Sequence, residues 1–103
     1  MVRKKLMKDL NTFAREISFP ISSMYLFGSQ VYGKPTKHSD VDLLIVSKSF
    51  EKQRRLKRSV PLYLKWNLDY PVDFICLTRA EFNKKKKEIG IVQIAVKKGV
   101  RIT

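Results

Sequence analysis

The sequence predicts one small α/β (α+β) domain, in which helices pack against a mixed sheet of about four strands. Three short runs rich in branched aliphatic and aromatic residues cover residues 23–27, 40–47 and 71–78, and such runs are typical of buried strands. Segments with a helical pattern precede, separate and follow them. A chain of 103 residues has room for a single domain, so we expect residues 1–103 to form one unit.

Apolar residues near the N-terminus recur at spacings of four, three and four, at Leu6, Leu10, Phe13 and Ile17. This period predicts an amphipathic helix over residues 2–18, which ends near Pro20. Residues 23–27 are predicted to form a buried strand that ends at Gly28 and Ser29. Residues 30–39 are rich in turn-forming residues and are predicted to form a loop, with room for one helical turn at its start.

The second half of the chain repeats the alternation. Residues 40–47 are predicted to form the second strand, and Pro61 divides the basic helical segment 49–67 or starts a second helix in it. The third strand is predicted over residues 71–78. Two helices follow, over residues 79–87 and 91–98, with Gly90 between them. After Gly99 a short terminal strand is predicted over residues 100–102.

Composition restricts the class of protein. The chain contains 22 Lys and Arg against 9 Asp and Glu, a net charge of +13, which favours an acidic partner such as a nucleotide, nucleic acid, an acidic protein or an anionic membrane surface. Solvated helix faces would explain the same basic clusters, and no sequence motif for specific nucleic-acid binding is visible. No apolar run is long enough to span a membrane, so we expect a soluble, cytoplasmic protein.

The single cysteine, Cys76, excludes an internal disulfide and a cysteine zinc site. Its position in the third strand predicts a buried side chain on the face opposite Asp73.

Three of the nine acidic residues stand in or beside the most apolar strands: Asp40, Asp42 and Asp73. Side chains alternate along a strand, so Asp40 and Asp42 point to the same side, about 6.5–7 Å apart at Cα. Asp73 joins them if its strand lies beside theirs. Such carboxylates suit Mg²⁺ or Mn²⁺, and two such ions can clamp a phosphoryl displacement. Strand punctuation at Asp40, or an ion pair of Asp73 with a lysine, would be a purely structural explanation.

Gly28 and Ser29 follow the first strand and precede the possible helical turn. Backbone N–H groups and a hydroxyl at this point could bind an anion, and glycine permits a phosphate chain to approach closely. By itself, however, the pair is equally compatible with an ordinary strand-to-turn junction.

Together these residues form a more specific pattern: Gly28-Ser29, ten intervening residues, and Asp40-Val41-Asp42 within SDVDLLIV, followed by Asp73 in PVDFICLT. The pattern resembles the DNA polymerase beta nucleotidyltransferase superfamily, and within it the minimal nucleotidyltransferase (MNT) proteins of HEPN/MNT pairs. The resemblance implies a nucleotidyltransferase fold in which Asp40 and Asp42 hold two Mg²⁺ ions on a triphosphate. Asp73 would complete one metal site and help activate the acceptor hydroxyl, while Ser29 and the amides after Gly28 would hold the β- and γ-phosphates.

The same resemblance implies an antitoxin that transfers AMP from ATP to a hydroxyl of a HEPN ribonuclease toxin. Two other functions remain open: a non-catalytic antitoxin that masks its partner, and a basic nucleic-acid-binding module. Lys37 and His38, in the loop before Asp40, are further candidates for contact with phosphates.

Overall fold

The structure is a computed structural model that describes residues 2–33 and 39–103. Its strands are β1 (Ser23–Phe27), β2 (Val41–Val46), β3 (Val72–Leu77) and β4 (Val100–Arg101). Its α-helices are α1 (Lys4–Glu16), α2 (Ser29–Tyr32), α3 (Arg55–Arg58), α4 (Val60–Lys65), α5 (Arg79–Lys85) and α6 (Ile91–Lys98). A 3₁₀ helix spans Lys48–Lys52. None of the described helices is long and apolar enough to cross a membrane.

The four strands form one mixed sheet in the order β3-β2-β1-β4. Strand β1 is antiparallel to both of its neighbours, whereas β2 and β3 are parallel. A parallel pair needs a crossover connection, and the segment that contains α3 and α4 provides it. The predicted mixed α/β architecture with four strands is therefore confirmed, and all four strands agree with the predicted ranges to within one residue at each end.

One face of the sheet packs against α1. The buried residues of this α1-side core are Leu6, Leu10, Phe13, Ile17, Met24, Leu26, Val41, Leu43, Ile45, Phe50 and Leu62. The four apolar residues whose spacing predicts the first helix all belong to it. Aromatic rings close its edge, with the Phe13 ring 5.0 Å from that of Trp66 and 5.9 Å from that of Phe74.

The other face packs against α5 and α6. Its buried residues, the α6-side core, are Phe27, Leu44, Val46, Leu77, Phe82, Val92 and Ala95. Alternate residues of β2 thus enter opposite cores, which explains why this strand has a nearly continuous apolar sequence.

The crossover differs in detail from the predicted helical segment 49–67. It begins with the 3₁₀ helix, because the buried Ser47 hydroxyl donates a hydrogen bond to the Pro20 carbonyl (2.6 Å) and accepts one from the Ser49 amide (3.1 Å). Pro61 lies in the first turn of α4, where a proline costs no helical hydrogen bond. The prediction that it starts a second helix is therefore confirmed.

A network that the sequence analysis missed ties the crossover to α5. The side chain of Arg58 is only 8% exposed and donates hydrogen bonds to the Cys76 carbonyl (3.1 Å) and to Glu81 Oε1 (2.7 Å). Glu81 also forms a capping box with Thr78 at the start of α5, and the Thr-x-x-Glu spacing is its sequence signal. The hydrogen bond from Arg58 lowers the pKa of Glu81 to about 2.

We expect Glu81→Gln to reduce the free energy of unfolding at pH 7 by about 1–3 kcal/mol, because it leaves the Arg58 guanidinium without its counter-charge. A carboxyl with a lowered pKa stabilises the folded state above its unfolded pKa, and this contribution is lost as the pH falls from about 4.5 towards about 2. Urea titrations should therefore show the difference from wild type shrinking below pH 4.5. The exposed Glu88→Gln serves as the control, and an equal loss in both variants would contradict the assignment.

Candidate functional site

The site lies at one end of the sheet, where β1 ends and β2 and β3 begin. In the parallel β2–β3 pair Asp42 is the register partner of Asp73, and in the antiparallel β1–β2 pair Asp42 is the partner of Phe27. Gly28 follows Phe27 directly. Pairing of three strands thus brings Asp42, Asp73 and Gly28 together, although Gly28 and Asp73 are 45 positions apart in the sequence.

Asp42 and Asp73 share the α6-side face of the sheet end. Asp42 alternates with Leu44 and Val46, which belong to the α6-side core, and Asp73 alternates in the same way with Leu77. Asp40 directly precedes β2, two residues before Asp42. The negative charges of Asp73 and Asp40 both act on Asp42, which supports the expectation that the three carboxylates converge.

These carboxylates are less buried than their apolar surroundings in the sequence suggest. Asp40 and Asp73 are exposed and Asp42 is half-buried, because all three lie at the sheet end and not in the middle of the strands. Burial, followed by the charges of Asp73 and Asp40, raises the pKa of Asp42. The site therefore concentrates negative charge that a cation would relieve.

Gly28 is required by the geometry of this site. Its φ of +82° lies in the region that only glycine adopts freely, and a Cβ atom at this position would overlap the Asp42 carboxylate. Its neighbour Ser29 is exposed at the start of α2, where no side chain caps the helix. The structure thus brings the two predicted phosphate-binding residues next to the aspartates.

Gln30 is a residue of the site that the sequence analysis placed in a loop without assigning it a role. Its side chain is buried, and its Nε2 donates a hydrogen bond to the carbonyl of Ser39 at 3.0 Å. This bond connects α2 to the residue before Asp40. The sequence could not predict this hydrogen bond, because a glutamine next to a turn has no local pattern that indicates its partner. Lys37 and His38, the two further candidates, lie outside the described residues.

Cys76 takes no part in the site. It packs against the α1-side core on the opposite face of β3 from Asp73, as strand alternation predicts, but it is only partly buried because it lies at the margin of that core. Burial raises the pKa of its thiol to about 12, so it stays protonated and is a poor nucleophile at neutral pH.

The donor set fits an ion that arrives with a phosphate ligand. Within residues 2–33 and 39–103, no group of three or more His, Cys, Asp or Glu side chains forms a ready-made metal cage. Mg²⁺ is commonly bound through one or two carboxylates together with substrate phosphates and water. Asp40, Asp42 and Asp73 offer oxygen ligands of this kind beside Gly28, where a phosphate chain could lie.

Comparison with known proteins agrees with this arrangement. Residues 6–101 match the sequence profile of the nucleotidyltransferase domain family. The chain belongs to this family. The match includes the whole sheet and every aspartate of the site, so the chain has the fold and the general character of a nucleotidyltransferase.

Solved structures support the same assignment. A crystal structure of a proposed nucleotidyltransferase from Sulfolobus solfataricus shares 25% sequence identity with this chain, with a TM-score of 0.66 over 94% of this chain and 78% of that one. A second crystal structure, also of a proposed nucleotidyltransferase, shares 31% identity, with a TM-score of 0.53 over 80% of this chain and 88% of the other. No curated protein matches the chain.

We expect Asp42→Asn to increase the free energy of unfolding at pH 7 in the absence of divalent metal. Folding raises the pKa of this carboxyl above its value of 3.8 in the unfolded chain. The ionised carboxylate therefore destabilises the folded state when the pH is above 3.8, whereas below pH 3.8 the carboxyl is protonated in both states and has no such effect. The gain should therefore be present at pH 7 and absent at pH 3, as measured by urea unfolding. Asp69→Asn, at an exposed residue outside the site, is the control. A loss of stability at pH 7 would contradict the electrostatic account.

We expect Gly28→Ala to reduce stability by about 1–2 kcal/mol or more, because its backbone has a positive φ and its new methyl group must displace the Asp42 carboxylate. Gly90→Ala is a matched control, since a Cβ atom there would have no neighbour within 4 Å among the described residues. Thermal unfolding measures both. Equal changes in the two variants would be inconsistent with the contact at Gly28.

Proposed function

We propose that this nucleotidyltransferase uses Mg²⁺ to transfer AMP from ATP to a hydroxyl of a protein partner, as the antitoxin of a HEPN-type ribonuclease toxin. One observation carries the enzymatic part of the proposal. Strand pairing brings Asp42 opposite Asp73, with Asp40 two residues away and Gly28 against the Asp42 carboxylate. Mutual repulsion of three carboxylates would have no benefit for a protein that only masks a partner.

The proposed metal sites use the three aspartates. Asp40 and Asp42 would hold two Mg²⁺ ions, and Asp73 would complete one of the two sites; Mn²⁺ could substitute, because it also prefers oxygen ligands. The pKa of Asp42 is raised first by burial and then by the charges of Asp73 and Asp40, and bound cations would compensate that negative charge. When bound, such ions neutralise charge that develops on the attacking and leaving oxygens of phosphoryl transfer.

The remaining steps belong to the residues of the chain. Gly28 leaves space for the Asp42 carboxylate to lie against the backbone. The Ser29 hydroxyl and the amides that follow Gly28 would bind the β- and γ-phosphates. Asp73 is exposed, so its carboxylate can orient the incoming hydroxyl and accept its proton as the hydroxyl oxygen bonds to the α-phosphorus. The bond from the α-phosphorus to the β-phosphate oxygen breaks at the same time, and the β- and γ-phosphates leave as pyrophosphate. Gln30 holds the residue before Asp40 against α2 through its bond to Ser39.

The choice of ATP, of a protein hydroxyl and of a HEPN toxin is supported by the resemblance of the Gly28–Ser29 and Asp40–Asp42 pattern to MNT proteins. The net charge of +13 is compatible with both a nucleotide and an acidic partner surface. The carboxylates argue against a nucleic-acid-binding module, because they would repel a phosphate backbone in the absence of metal.

The proposal predicts that ATP binding requires both Mg²⁺ and the aspartates. Calorimetric titration of the protein with ATP and Mg²⁺ should give a measurable affinity. This affinity should fall at least about tenfold when EDTA is added, and equally in the Asp40→Asn/Asp42→Asn variant. A tenfold fall corresponds to a loss of about 1.4 kcal/mol of binding free energy. Asp69→Asn should bind like wild type. Metal-independent binding of equal strength in all three proteins would refute the metal–nucleotide site.

Transfer and masking are separated in a second assay. With ATP labelled at the α-phosphate and the candidate toxin present, wild type should label the toxin and Asp42→Asn should not. If Asp42→Asn still inhibits the toxin as well as wild type without labelling it, the antitoxin acts by masking and the transfer proposal is wrong for inhibition.

A further inference from the structure

The outer surface of the crossover exposes an apolar stripe that the proposed catalytic site does not use. Ser59 has helical backbone angles and its carbonyl accepts a hydrogen bond from the Tyr63 amide at 2.9 Å, so the chain remains helical from α3 into α4. Leu56, Val60 and Leu64 are four residues apart on this segment and are 91%, 49% and 82% exposed. They therefore line the side opposite the buried Arg58 and Leu62.

This stripe is bordered by positive charge. Residues 48–65 contain seven Lys and Arg and one acidic residue. Among the described residues, the ion pairs of this segment are those of Arg55 and Arg58 with Glu81, which leaves Lys52, Arg54 and Lys57 without a described carboxylate partner. A depression of about 820 Å³ beside the stripe is lined by Lys52, Gln53, Arg54, Lys57, Val60 and Pro61.

We propose that this surface binds an acidic amphipathic helix of a partner protein. Apolar side chains of that helix would cover Leu56, Val60 and Leu64, and its Asp and Glu side chains would pair with Lys52, Arg54 and Lys57. This is helix recognition by an apolar surface with a charged rim. The proposal does not rest on nucleotidyl transfer, since no residue of the catalytic site contributes to it.

The charge and shape of this surface argue against three other ligands. A second copy of this chain in a twofold dimer would oppose the same basic surface to itself, and the like charges would repel. A phosphate backbone would satisfy the cations but leave three apolar side chains against charged groups. A flat bilayer would leave the depression unfilled. A helix with both apolar and acidic side chains can cover the apolar stripe, pair with the basic side chains and fill the depression.

The test uses a synthetic, fluorescein-labelled helical peptide of about 18 residues, five turns, with Leu on one face and Glu on the others. We expect Leu56→Ser/Leu64→Ser to weaken its binding at least about tenfold. Ile89→Ser/Ile94→Ser is the matched control: these side chains are also exposed, at 97% and 44%, but lie outside the stripe. Because all four side chains are exposed, both variants should retain the wild-type circular dichroism spectrum.

A second pair of variants tests the charge. Lys52→Glu/Lys57→Glu should weaken the peptide at least about tenfold, whereas Lys84→Glu/Lys87→Glu, with the same change in net charge, should have a small effect. Equal losses in both pairs would show attraction to net charge alone and would overturn the proposal. So would failure of the wild type to bind the peptide at 100 µM, a concentration of order 10⁻⁴ M typical of very weak association.

Three further controls address the other occupants. A Leu56- and Leu64-dependent affinity for a single-stranded oligonucleotide, or for phosphatidylserine vesicles, that exceeds the affinity for the peptide would assign the surface to that ligand. Self-association in sedimentation equilibrium that disappears in Leu56→Ser/Leu64→Ser would assign it to a dimer. Each of these results would overturn the proposal.

Discussion

The register of the parallel β2–β3 pair links the two cores, the crossover and the site. It places Asp42 opposite Asp73 at one end of the strands and Val46 opposite Leu77 at the other. Because the strands are parallel, the chain between them must return along one face of the sheet, which brings Leu62 into the α1-side core. A shift by one residue would turn Asp42 and Asp73 to opposite faces. The apolar side chains that alternate with them prevent such a shift.

Stability and function have opposite requirements at the sheet end. Two apolar cores stabilise the middle of the sheet, whereas the carboxylates at its end repel one another and one of them is partly desolvated. The protein tolerates this repulsion because Asp40 and Asp73 remain in contact with water. The capping box and the Arg58–Glu81 pair stabilise the neighbouring helix and crossover. A bound cation, as in the proposed function, would relieve this repulsion.

Positive and negative charge are concentrated on different parts of the molecule, which suits one ligand at the aspartates and another at the crossover. A chain with a net charge of +13 contains a local group of three carboxylates at the site, and its crossover has a basic rim around an apolar stripe. In the proposed function, the positive field would attract an anionic nucleotide, and the carboxylates would select one that carries metal ions. The stripe lies on the crossover and not among the site residues, so a partner could be bound while the site is occupied.

The sequence by itself determined the alternation of helices and strands, the alternation of Asp42 with its apolar neighbours in β2, and the proximity of Gly28 to a turn, because these depend on local periodicity and on backbone chemistry. Its pattern also indicated the nucleotidyltransferase family. Only the tertiary structure decided that Asp73 is the partner of Asp42, that Asp40 and Asp73 are exposed whereas Asp42 is half-buried, and that Gln30 and Arg58 bond to distant carbonyls. These features depend on strand order and on contacts between residues far apart in sequence, for which no local pattern exists. The same holds for the stripe: helical spacing places Leu56, Val60 and Leu64 on one face, but only packing shows that this face is turned to solvent.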